Sequence, residues 1–163
     1  MKVSLKIAKE ALEPLGTWME SRYNGGKVKP PIQGWDMPRK EKDFFTVYAM
    51  NLDLESDGFQ CLVEQEPKDI RAFMRLLDRL GARKTAAFVR TTLATLKKMP
   101  PAEVNKCTLA YYRLFKRDKV WLRLLHHIGP RIYMRYFLRA QAIDAAGGNI
   151  FDPKEWRGNL PDA

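Results

Sequence analysis

Lys68-Asp69-Ile70-Arg71-Ala72-Phe73-Met74-Arg75-Leu76-Leu77-Asp78-Arg79-Leu80-Gly81-Ala82-Arg83-Lys84-Thr85-Ala86-Ala87-Phe88-Val89 decides the fold of this chain. Ile70, Phe73, Met74, Leu77 and Leu80 recur three and four residues apart, so they line one face of a helix that Gly81 ends or bends. A second stripe starts at once, Ala82, Ala86, Val89, Leu93 and Leu96, and its small residues suit close antiparallel packing against a neighbour. Two successive helices meeting at Gly81 are expected here.

The same periodicity extends outward in both directions. Pro100-Pro101 stops the second helix, and three more follow: Glu103 to Arg117, Val120 to Ile128 and Arg131 to Ala145, with Gly129-Pro130 and Gly147-Gly148 as punctuation. Upstream, a helix is expected from about Lys40 to Asn51, preceded by an irregular segment over about 24–39 that Trp35 pins to the body. Leu5, Ala8, Leu12, Leu15, Trp18 and Met19 form an N-terminal stripe that Pro14 kinks or restarts. The tail over about 147–163 reads as irregular, with Trp156 docked. No stretch sustains the alternation of a strand. The expectation is an all-α, single-domain, multi-helix bundle over residues 1–163.

Composition agrees with a packed domain: 45% of the 163 residues are apolar and 11% aromatic, enough to build a core. The charge is uneven. Residues 68–140 hold eighteen Lys and Arg against four carboxylates (Asp69, Asp78, Glu103, Asp118), an excess of fourteen, whereas residues 1–60 balance nine against nine. The net +10 is thus a property of the second half, and a field of that sign concentrates polyanions. Cys61 and Cys107 stand far apart without metal-ligand spacing and read as small core hydrophobes of a reducing compartment. Lysines interrupt the N-terminus before any apolar run forms, so no signal peptide or membrane span is expected and the protein reads as cytoplasmic.

Arg71, Arg75 and Arg79 lie four residues apart, and Arg131, Arg135 and Arg139 repeat the arrangement in a later helix. Like charges at this spacing cost a helix a few tenths of a kcal/mol per pair, so local stability does not explain them. One reading is functional: guanidiniums about 6 Å apart fork onto the phosphates or carboxylates of an extended anion. Tyr111, Tyr112, Trp121, Tyr133 and Tyr136 interleave with Arg113, Lys116, Arg117, Lys119 and Arg123, a mixture that single-strand binders use for stacking. The other reading is architectural. Each triplet flanks an apolar stripe, where Arg stems cover the core edge or pair across helices with Glu10, Glu13, Glu20 or Glu41.

Asp53-Leu54-Glu55-Ser56-Asp57-Gly58, followed by Glu64, has the frame of a calcium loop. Glu55 crowds the third position, Gln60 occupies the eighth where an aliphatic side chain pairs loops, and no second loop exists, so these carboxylates read as solvated or capping. His126-His127 point about 100° apart on a helix and cannot easily share a metal. Glu64, Glu66 and Asp69 flank Pro67, but Asp69 suits the early turn of a helix beside its dipole. No nucleophile elbow, zinc motif or phosphate loop is present. No cofactor, metal or catalytic residue is therefore assigned, and the chain reads as a non-enzyme.

Asp57-Gly58-Phe59 follows a helix with an acidic end, and Leu80-Gly81-Ala82 comes about twenty residues later, ahead of a small-residue helix. On these landmarks the segment from Phe44 to Leu96, about a third of the chain, resembles the helical bacterial domain family named after DNA-mimic proteins. That family often has Gly-Gly-Phe at the first landmark and an aliphatic-Gly-Ala at the second. Cys61 replaces its usual Gln, and Gln65 stands where Asn is common. The resemblance implies an all-helical, non-enzymatic interaction domain. It does not carry mimicry over, because the corresponding helices present Arg71, Arg75, Arg79, Arg83, Lys84 and Arg90 instead of carboxylates. The expected partner is an acidic protein, bound through the two arginine triplets; the alternative is nucleic acid, held by phosphate contacts from the same residues.

Overall fold

Among the described residues several helices start at a proline and several end at a glycine with positive φ. The computed structural model describes residues 32–34, 38–149 and 152–156. Among them are six α-helices: α1 (Arg39–Asp57), α2 (Pro67–Arg79), α3 (Arg83–Thr95), α4 (Pro101–Arg117), α5 (Val120–Ile128) and α6 (Pro130–Ala145). Short 3-10 turns occupy Ile32–Gly34, Phe59–Val63, Leu96–Lys98 and Pro153–Trp156, and no strand occurs among the described residues. The all-α multi-helix bundle expected from periodicity is the fold. The N-terminal stripe from Leu5 to Met19, Trp35 and the side chains of Tyr133, Tyr136 and Trp156 lie outside the described residues.

Pro67, Pro101 and Pro130 each sit at a helix start, where a missing N–H leaves no intrahelical bond unmade. Pro101 therefore opens α4 as well as closing what precedes it. α1 runs six residues beyond the expected Asn51, to Asp57, because Phe44, Val47, Met50 and Leu54 continue one buried stripe. That extension removes the calcium frame. Asp53, Glu55 and Asp57 are helical residues, and Asp53 accepts a 2.8 Å hydrogen bond from Gln65 Nε2.

The α2–α3 joint is a Schellman turn. Gly81 N donates to the Asp78 carbonyl and Ala82 N to the Leu77 carbonyl, at 2.9 and 2.8 Å, with Gly81 at φ +79°. Leu77 and Ala82, the apolar pair that accompanies this motif, are both fully buried. Arg123 closes the joint from α5, donating through Nη1 to the Leu80 carbonyl (3.1 Å) and through Nε to the Asp118 carbonyl (2.7 Å). One of the basic residues next to the aromatics thus binds two helix-end carbonyls. A Cβ at Gly81 meets Arg123 Nη1 at 2.7 Å in addition to the left-handed backbone. Gly81→Ala is expected to destabilise by about 1–2 kcal/mol, read as a lower urea midpoint, and a loss below a few tenths rejects this account of the joint.

Ala82, the N-cap of α3, has no polar side chain to cap the helix. Asp118, just past α4, does so across space: its Oδ2 accepts both Thr85 N (2.9 Å) and Thr85 Oγ1 (2.8 Å). Removing a cap of this kind costs about 1 kcal/mol, the loss expected for Asp118→Ala in the same urea assay, with Asp118→Asn recovering part of it.

One apolar core joins all six helices. Its centre is Tyr111 on α4, fully buried, with ring centroids 5.6 Å from Phe59 and 5.5 Å from Phe115; Phe115 in turn meets Trp121 at 5.1 Å. Tyr111 is therefore a core ring with no face open to a nucleobase, contrary to the stacking role its neighbours in sequence suggest. Cys61 and Cys107 are free thiols. Burial, with Asp53, Asp57 and Glu64 nearby, pushes the Cys61 thiol up to about 12, so it behaves as a small hydrophobe.

Candidate functional site

The first turns of α1 carry cations where a helix prefers anions. Arg39, Lys40 and Lys42 face the positive end of the dipole, Glu41 is the acid of that turn, and Pro38 offers no side-chain cap. Arg39, Lys42, Asp43 and Thr46 of α1 face Ala72, Arg75, Leu76, Asp78 and Arg79 of α2 across a cleft of about 460 Å³, closed at one side by Gln33.

Asp69 builds that side. It lies in the first turn of α2, is almost completely buried, and accepts the backbone N–H groups of Ile32 (2.9 Å, Oδ2) and Gln33 (3.1 Å, Oδ1). The early-turn position expected for it is right, but its partners come from 36 and 37 residues upstream. Gln33, held this way, donates through Nε2 to Thr46 Oγ1 (3.0 Å), and its carbonyl receives Lys42 Nζ at 3.4 Å. Thr46 Oγ1 donates in turn to the Lys42 carbonyl at 2.8 Å.

Both carboxylates of the cleft are already engaged. Asp43 places Oδ1 3.2 Å from Arg79 Nη2 and Oδ2 2.8 Å from His127 Nε2, linking α1, α2 and α5. Asp78 pairs with Arg90 of α3. Arg39, Lys42 and Arg75 have no carboxylate partner among the described residues; Arg75 Nε makes only a long 3.3 Å bond to the Arg71 carbonyl. The cleft thus has three uncompensated cations above a floor of Ala72, Leu76 and Thr46. It suits a carboxylate or phosphate that brings some apolar surface with it.

The predicted triplets divide. Arg75 and Arg79 line the cleft, whereas Arg71 is exposed and outside it. On α6, Arg131 is exposed, Arg135 is half-buried with an Nε that finds no partner among the described residues, and Arg139 is half-buried and donates to the Glu155 carbonyl at 3.1 Å. Arg139 is thereby tied to the backbone of the Pro153–Trp156 turn. His126 is exposed and His127 serves Asp43. Among the described residues no group of three or more His, Cys, Asp or Glu is placed to hold a metal, and no helix is long and apolar enough to cross a membrane.

No family model, curated protein or solved structure matches this chain. The two landmarks of the DNA-mimic resemblance have a plain geometric content. Gly58 and Gly81 both stand at helix ends with φ of +73° and +79°, conformations that favour glycine in any helical protein.

Sequence reading missed Arg39 and Lys42, half of the cations in the cleft. Their signal was present as a cationic first turn, a local rule broken with no local gain. Asp43 as the partner of Arg79 carried no such signal, because the two are 36 residues apart.

Proposed function

We propose that this chain is a non-enzymatic interaction protein of the kind the DNA-mimic resemblance implies, with its charge reversed, and that it captures an acidic protein partner. The cleft between α1 and α2 receives one of the partner's carboxylates. The observation that carries this reading is the mismatch inside the cleft: Arg39, Lys42 and Arg75 lack carboxylate partners among the described residues, while Asp43 and Asp78 are already neutralised. Nucleic acid is the second reading, favoured by the phosphate-matching fork of Arg39 and Arg75, but weakened by the burial of Tyr111.

The test is a salt titration of a labelled Glu-rich peptide beside short single- and double-stranded DNA, with the Arg39→Glu/Arg75→Glu variant. Expected is peptide binding that persists at about 150 mM salt and weakens about tenfold or more in the variant. DNA binding tighter than peptide binding, steep in salt and lost in the same variant, replaces the acidic-protein reading with the nucleic-acid one.

A further inference from the structure

The inner face of α4 holds Val104, Tyr111 and Phe115 in the core. Its opposite face carries Lys106, Leu109, Arg113 and Lys116, spaced three, four and three residues apart, with Arg117 beside them, and all five are exposed. Leu109 is 60% exposed, more than any other large apolar residue described. None of the four cations has a carboxylate partner among the described residues, and Glu103, the one acid of α4, lies about 120° around the helix from Leu109.

From this we propose that the outer face of α4 is a docking seam for an acidic amphipathic helix of a partner protein. The proposal rests on the acidic-partner reading above and adds where, and in what conformation, that partner binds. Four considerations select the occupant. Lys106, Leu109, Arg113 and Lys116 share one face of α4, and Lys106 to Lys116 spans about 15 Å, three turns of a partner helix. Cations ringing a bare leucine are complementary to an apolar residue ringed by Glu or Asp, the arrangement of an interface with a small apolar centre and a charged rim. A second copy of this chain is disfavoured, since its net charge is +10 and the seam would meet its own cations. A phosphate backbone satisfies the cations but gives Leu109 nothing to bury against, and the Tyr111 ring, which could stack a base, is on the core side.

The probe is a labelled peptide of about four helical turns, with Glu placed to face Lys106, Arg113 and Lys116 and Leu placed to face Leu109, followed by anisotropy at about 150 mM salt. Expected is saturable binding with a rise in peptide helicity. Leu109→Ser, which changes no charge, weakens it about fivefold to tenfold. Lys106→Glu/Arg113→Glu/Lys116→Glu abolishes it, while Arg71→Glu on α2, outside both the cleft and the seam, changes it less than about twofold. The substituted side chains are exposed, so an unchanged melting transition accompanies each supporting result. No binding to the unmodified chain overturns the seam. A loss caused by the cleft variant but not by Leu109→Ser overturns the seam and leaves the acidic-partner reading standing. Displacement of the peptide by a short oligonucleotide that binds the Leu109→Ser variant equally well overturns both.

Discussion

Tyr111→Ala is expected to lower the unfolding free energy by about 4 kcal/mol, the range for truncating a fully buried aromatic ring. The ring touches Phe59, Tyr112 and Phe115, and through Phe59 and Phe115 it is linked to Phe88 of α3 and Trp121 of α5. Its removal leaves a hole between α4 and the Phe59–Val63 turn. The hydroxyl contributes far less. It reaches Asn51 Oδ1 at 3.4 Å, a long bond, and Asn51 Nδ2 is itself committed to Glu55 at 2.9 Å. Tyr111→Phe therefore costs about 1 kcal/mol or less. Burial also holds the Tyr111 hydroxyl well above its ordinary pKa, so no phenolate forms there in any working pH range. Urea denaturation of the pair measures both effects. A Tyr111→Ala loss under about 1 kcal/mol would show that the ring is not at the centre of the core. The same variants bear on function: Tyr111→Phe leaves peptide and DNA binding unchanged, since the ring has no surface to offer either.

The succession of α2, Gly81 and α3 was legible because its information is local. Ile70 to Leu80 carry an unbroken helical stripe, Gly81 is the residue a Schellman turn requires, and Ala82 and Ala86 announce close packing. α5 matched its expected bounds of Val120 and Ile128 for the same reason. α1 was cut short because the acidic run after Asn51 imitates a loop, although Leu54 continues the buried stripe one turn further and Gly58 supplies the stop. The arginine triplets show where local reasoning ends. Their spacing places Arg75 and Arg79 on one side of α2, but whether a guanidinium is free, paired or half-buried depends on what another helix brings to it. Asp43 does this for Arg79, and Glu155 does it for Arg139 through a backbone carbonyl. The seam on α4 was hidden for a different reason: Arg113, Lys116 and Arg117 were read along the chain among tyrosines, whereas the helix turns Tyr111 inward and leaves Leu109 among the cations.

Asp43→Ala sets stability against binding, and the two are expected to move in opposite directions. Asp43 is among the few charged groups in the interior and joins three helices through Arg79 and His127. Its removal strands both partners, but the Arg79 side chain is 42% exposed and regains water, so the loss is about 2 kcal/mol rather than the larger cost of an orphaned buried charge. In the cleft the consequence is opposite. Arg79 becomes a fourth uncompensated cation beside Arg39, Lys42 and Arg75, and the affinity for a Glu-rich peptide rises about threefold to tenfold, most at low salt. Asp43→Asn separates charge from shape: it removes the same negative charge while keeping an acceptor for Arg79, so it gives the gain in affinity with a smaller loss of stability. If both variants instead weaken the peptide, Asp43 acts by positioning Arg79, and the cleft recognises its ligand through the geometry of a fixed guanidinium rather than through summed charge.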